Sequence, residues 1–341
     1  MKKLIILIAM ACTVYQSKAA VFTVCNLSNS GAQFTQIDPA IAAATNGDTI
    51  YVSGSSVGYA DCTINKNIKL IGPGTYAQKD NQLTATIAII GTSSGLNGIA
   101  VLGFRILNNI RIASNIQNLE IAFNLFAGNT ATYFLGGTVN VSNIHVHSNI
   151  FNNGGNVLVF DNIASISNVT IEHNIIRGTI TQVAGANFNI AHNIFYNSNG
   201  DAFGSVNNAV INDNIFYNVN PINGSINCAY NNNLSYSTST TFPNMPIGNG
   251  NIDNTNPLLI NVAATGGYLP TYNFNLQAGS PAINAASDGT NIGLFGGGNI
   301  VSTTGEVYNM PVIRKMLIQN TNVPQNGNVN VKVRSTKSRT N

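Results

Sequence analysis

Val169-Thr170-Ile171-Glu172-His173-Asn174-Ile175-Ile176 is one copy of a phrase that recurs along the middle of this chain: apolar, any, apolar, any, any, Asn, apolar, apolar. Other copies start at Leu119, Ile144, Phe188 and Ala209, and they carry Asn124, Asn149, Asn193 and Asn214 at the same place as Asn174. A degenerate copy, Cys228-Ala229-Tyr230-Asn231-Asn232-Asn233-Leu234, ends the series. From Asn124 to Asn233 the Asn positions are separated by 25, 25, 19, 21 and 19 residues. Alternation with period two is what a strand with one buried face requires. An Asn followed at once by a new apolar pair reads as a sharp corner between two strands. Asn tolerates the left-handed backbone that such a corner needs, because its short amide bonds locally. A repeat of this length stacks as a solenoid, in which equivalent Asn side chains form a hydrogen-bonded ladder up the coils. Leucine-rich repeats are excluded, because the buried positions are not mostly Leu and no helical segment recurs.

Three stretches, Ile171-Glu172-His173-Asn174, Ser167-Asn168-Val169-Thr170 and Gly200-Asp201-Ala202-Phe203, resemble right-handed parallel β-helix proteins of the pectin-lyase-like superfamily. The Ala-rich Ile37–Ala44 segment, followed by Thr49-Ile50-Tyr51-Val52 and Asn67–Ile71, resembles that superfamily's N-terminal helical cap and first strands. Gly279–Asn284 and Asn291–Gly296 look like its closing segment, with Asn284 and Asn291 where Asp is usual. The resemblance covers roughly residues 34–300 and implies an all-β, right-handed parallel β-helix. It is specific for fold rather than activity, since the superfamily holds lyases, hydrolases, epimerases, adhesins and structural proteins.

Ile50 to about Leu276 leaves room for roughly ten coils, at about 4.8 Å each. Lys2-Lys3, the apolar run Leu4–Ala11 and the small residues at Ser17-Lys18-Ala19 read as an export signal over residues 1–19. The run is too short to span a membrane, so the expected location is secreted or cell-surface. The solenoid is expected over 20–309 and a strand tail over 310–341. After cleavage Cys25, Cys62 and Cys228 remain, which permits one bridge at most, with Cys25 and Cys62 in reach within the cap. Only 8% of residues are charged, and the formal charge is +3. Nine of the fifteen basic residues lie outside 21–309, leaving six against all twelve acids, so that body carries about −6. Such a balance makes a poor nucleic-acid binder.

Residues four and two before each Asn face outward. They form the columns Glu120, His145, Thr170, Asn189, Val210 and Ala122, His147, Glu172, Ala191, Asn212. Stacking is expected to put His147 beside Glu172 and His145 beside Glu120. This is the densest titratable cluster in a charge-poor chain, and a carboxylate beside an imidazole makes a general acid/base. The same four residues could instead bind a metal, but the reading that weighs most is ordinary cross-strand pairs on an exposed face, worth a few tenths to about 1 kcal/mol each. One residue before each Asn, the corner column Phe123, Ser148, His173, His192, Asp213 is expected to be structural. Known sites of the superfamily lie mainly on the strands preceding each phrase. There this chain offers Asp161, Asp201, Arg111 and Arg177, too thin a set for a calcium-dependent lyase, so no cofactor is expected. Tyr133, Phe134 and Tyr217 are candidates to stack on sugar rings. Gly296-Gly297-Gly298 lacks the Lys-Ser/Thr of a phosphate loop. The functional expectation is a non-catalytic surface or extracellular β-helix that binds polysaccharide or acts as a rigid rod. The alternative is a polysaccharide lyase.

Overall fold

The computed structural model describes residues 19–74, 83–128, 132–134, 140–160, 166–183, 186–196, 200–246, 248–263, 265–298, 311–318 and 331–337. Residues 1–18 of the expected leader, and Asp161, lie outside them.

The repeat phrases stack as a parallel β-solenoid of about eight turns. The first sheet has ten strands, from Val21–Val24 to Ala229–Asn231, and the second has eleven, from Cys62–Ile64 to Leu234–Tyr236. The register is the one the phrase dictates: Ile144 pairs with Leu119 and Val169, and Val146 with Ile121 and Ile171. These six are buried, and they meet Phe126, Phe151, Ile176, Phe195 and Phe216 from the second sheet. Phe126 stacks on Phe151 at 4.6 Å, and Phe195 on Phe216 at 5.0 Å, so aromatic files fill the interior coil by coil.

Asn124, Asn149, Asn174, Asn193, Asn214 and Asn233 are fully buried at the corner. Each side-chain Nδ2 donates to Oδ1 of the Asn one coil later, at 3.0–3.2 Å, ending on Asn251. The same Oδ1 accepts the backbone N–H of the earlier Asn. Nδ2 also reaches a strand carbonyl one coil back, as from Asn174 to Val146 at 2.9 Å. A buried amide is tolerated because these donors and acceptors are matched. The left-handed residue of the corner is, however, the one before the Asn: Phe123, Ser148, His173, His192, Asp213 and Asn232 have φ between 52° and 59°. The ladder Asn is held by its side-chain bonds and bears no strained φ.

A second Asn file, not anticipated from the phrase, lies on an exposed corner six residues earlier in each coil. Asn118, Asn143, Asn168 and Asn187 adopt φ of 53–60°, and each donates from Nδ2 to Oδ1 of the preceding coil's Asn, starting at Asn97. Here Asn does serve as the left-handed residue. Asn208 and Asn227 continue the same backbone turn.

The stack stops short of ten coils because the chain leaves it after Asn251 and returns along the outer side of the second sheet. A hairpin, Leu259–Asn261 with Asn273–Leu276, reaches back until the Tyr268 N–H donates to Asn152 Oδ1 at 2.7 Å. Residues 280–297 follow the corner column: Asn232 Nδ2 donates to the Ala285 carbonyl at 3.0 Å, and the Gly293 N–H to the Asp213 carbonyl at 2.8 Å. This return segment buries the outward aliphatic file Ile150, Ile175, Ile194, Ile215 and Leu234 beneath Tyr268, Phe274, Ile292 and Leu294. Those side chains are the second core. What resembled a closing segment therefore runs along the solenoid's flank.

At the start, the helix Ile37–Ala43 buries Ile37, Ala40 and Ile41 against the strands Val21–Val24, Thr49–Val52 and Cys62–Ile64. Cys25 and Cys62 are both buried there and are not joined; burial pushes the Cys62 thiol up to about 12. In the tail, Pro311–Ile318 pairs antiparallel with Val331–Lys337.

Candidate functional site

Three consecutive strands of the first sheet, Gln117–Ala122, Val141–His147 and Ile166–Glu172, carry the His/Glu cluster on their outward face. The backbone register is as the sequence implies, with His147 opposite Glu172 and His145 opposite Glu120. The side chains pair otherwise. His145 Nε2 lies 2.8 Å from Glu172 Oε1, and His147 Nε2 lies 3.1 Å from Glu120 Oε1, so both bonds cross diagonally. Diagonal neighbours, roughly 7–8 Å apart at the backbone, match the combined reach of Glu and an imidazole. The crossing brings the two rings together, 4.1 Å between centroids.

Corner residues position His147. The Phe123 ring meets it edge-on at 5.5 Å, and Ser148 Oγ lies 3.2 Å from its Nδ1. An ionised carboxylate only accepts, so each Nε2 carries the proton. Nδ1 of His147 faces the Ser148 hydroxyl. The hydrogen bond from His147 and that from His145 hold the carboxyls of Glu120 and Glu172, respectively, below the usual range, against the opposing effect of burial. The side chains of His145 and Glu120 are 43% and 40% exposed, while Glu172 and His147 are 18% and 17% exposed. The patch therefore offers solvent one imidazole and one edge of a carboxylate. Beside it, the outward Ile71, Ala100, Leu102, Ala122 and Phe123 make a compact apolar cluster flanked by Tyr51.

The other candidates do not assemble. Asp201 Oδ2 accepts from Asn223 Nδ2 at 2.7 Å, Arg111 Nε donates to Asn109 Oδ1 at 3.2 Å, and Arg177 packs over Gly154. Among the described residues, no three His, Cys, Asp or Glu are grouped to hold a metal ion. Tyr217 is buried in the second core, which removes it as a sugar platform, and Thr132–Phe134 is a strand rather than a loop. A cavity of about 160 Å³ lies between the return segment and the solenoid, walled by Ile194, Ile215, Phe274, Ile292 and Leu294.

His173, His192 and Asp213 form a second titratable file, covered by the return segment. Asp213 accepts from the N–H and Oγ of Ser287, both at 2.7 Å, and His173 Nδ1 donates to the Leu294 carbonyl at 3.0 Å. Burial lowers the basicity of His173. The structural reading of this column fits these bonds. Its partners Ser287 and Leu294 carry no periodic signal that sequence reading can find. Gly296 and Gly297 lie directly on the rings: a β-carbon at Gly296 would collide with the Asn291 carbonyl and the His192 imidazole. Close approach to the imidazoles accounts for Gly296 and Gly297, and a left-handed φ of 66° for Gly298.

Fold and site together define a parallel β-solenoid with a buried Asn ladder and one titratable patch on an outward face. No protein-family model matches the chain, and no curated protein matches it. No helix among the described residues is long and apolar enough to cross a membrane.

Proposed function

We propose that this is a non-catalytic β-solenoid of the pectin-lyase-like kind, exported to the cell surface or beyond, which binds extracellular polysaccharide along its first sheet. The observation that carries this reading is the diagonal pairing. Both carboxylates and both imidazoles of the patch are engaged with each other, and His145 and Glu120 stay 43% and 40% exposed. Parallel columns repeat the same outward positions at each coil, so an extended polymer laid along the axis meets hydroxyl, amide and imidazole groups in register. A rigid rod role requires no further residues, because the two Asn files and the two cores already stiffen the stack.

The test is affinity electrophoresis of the protein through gels holding neutral, amino-sugar or uronate polysaccharides. Retardation by at least one, weakened severalfold by His145→Ala with His147→Ala, is the expected result. Migration unaffected by every polymer would overturn the binding reading. A second reading, a metal-independent polysaccharide lyase, draws on the partly exposed His145 imidazole oriented by Glu172. It requires ultraviolet-absorbing unsaturated uronates to accumulate with a uronate polymer and to vanish in His145→Ala.

A further inference from the structure

The return segment is fastened to the corner column at four successive coils. Asn232 bonds the Ala285 carbonyl, and Asp213 bonds Ser287 and Gly293. His192 lies under Gly296 and Gly297, and His173 bonds the Leu294 carbonyl. Two of these four fasteners are imidazoles, stacked parallel at 5.2 Å between centroids. We propose that residues 280–298 form an acid-released strap, which His173 and His192 hold down while neutral and lift when protonated.

Three features of the geometry argue for it. First, His192 Nε2 faces Asp213 Oδ2 at 3.7 Å, while its Nδ1 is buried with no hydrogen-bond partner. As a lone pair this nitrogen is tolerable, but as an N–H it would be a buried donor without an acceptor beneath Gly296. Second, protonating both rings places two cations face to face out of water, which each disfavours in the other. Third, the hydrogen-bonding capacity of the nearby acids is taken up elsewhere: Asp213 accepts from Ser287 and Asn212, and on the strap Asp288 accepts from Thr290. Glu172, beside His173, is bonded to His145, and His147 on the coil below is a third imidazole. Burial disfavours the His173 cation and outweighs the Leu294 hydrogen bond and the charge of Glu172, which favour it. Because His is the side chain that titrates between about pH 5 and 8, release falls in that window, above the carboxylate range. A lifted strap uncovers Ile175, Ile194, Ile215 and the adjoining cavity.

Hydrogen exchange by mass spectrometry on the full chain tests this, reading the peptide that spans 280–298 at about pH 7.5 and about pH 5 after correction for intrinsic exchange. Severalfold more frequent opening at the lower pH, with strands 144–147 and 169–172 unchanged, is expected. Asn232 shows that Asn occupies this column at φ 52° and still bonds the strap. His173→Asn with His192→Asn should therefore flatten the pH response. Equal strap protection at both pH values in the unaltered chain, or an undiminished response in the double variant, overturns the proposal. Should the double variant not fold, His192→Asn alone is read against the same criterion.

Discussion

His145 bonds Glu172, one coil on and two residues along, rather than Glu120, the residue its backbone faces. Energetic coupling should follow the bond and not the register. In double-mutant cycles read by chemical denaturation, His145/Glu172 should couple by about 0.5–1 kcal/mol, the range of partly exposed pairs. His145/Glu120 should couple by less than half as much. Equal couplings would mean that the four side chains rearrange freely in solution.

The same patch sets an acid limit. Glu120 and Glu172 have carboxyl pKa values held below the ordinary range, chiefly by their imidazole partners. A depressed carboxylate stabilises the fold above its unfolded pKa, about 4.3, and that contribution disappears as pH falls through the folded value. Thermal midpoints measured from about pH 5 down to pH 3 should therefore decline less steeply in Glu120→Gln with Glu172→Gln than in the parent. An identical slope would show that the carboxyls are not coupled to folding.

The two Asn files should differ in consequence. Asn174→Leu removes a buried amide with matched partners on both sides and strands the Asn149 and Asn193 groups that it serves. A loss of about 1–3 kcal/mol is expected. Asn168→Ala, in the exposed file, leaves water to replace its partners, but it puts a β-branch-free L-residue at φ 56°. The expected loss is about 1 kcal/mol, from backbone strain. Equilibrium unfolding in urea ranks the two, and the reverse order would contradict the burial assigned here.

Gly297 and Gly298 make a matched pair of controls for the strap. Both have positive φ, 69° and 66°, but a β-carbon at Gly297 meets the rings of His192 and His173, while one at Gly298 meets open space. Gly298→Ala should cost about 1 kcal/mol from the left-handed backbone alone. Gly297→Ala should cost that plus the displacement of the strap, seen as faster proteolytic cleavage within 280–298. Equal cleavage rates would place the strap off the imidazoles.

Fold class was readable because period-two alternation with an Asn at intervals of 19–25 residues states both strand parity and stacking. Parity also put Glu120, His145, His147 and Glu172 on one outward face. It fixes columns, though, and not rotamers, so the diagonal bonds were out of reach. The second Asn file was legible in principle, since Asn118/Asn124, Asn143/Asn149, Asn168/Asn174 and Asn187/Asn193 all share an offset of six. The apolar phrase alone does not reveal it, and that phrase puts the left-handed turn on the ladder Asn instead of the residue before it. The return segment was not legible. Contacts such as His173 with Leu294 join residues 121 apart, and nothing periodic links them.

The two Asn files carry opposite polarity. Along the buried file each amide donates toward the later coil, from Asn124 to Asn149 and onward, while along the exposed file each donates toward the earlier one, from Asn143 to Asn118. Head-to-tail amides polarise one another within a file, yet two opposed files largely cancel along the axis. Lengthening this rod coil by coil thus adds hydrogen bonds without building up a charge separation between its ends, unlike the lengthening of an α-helix.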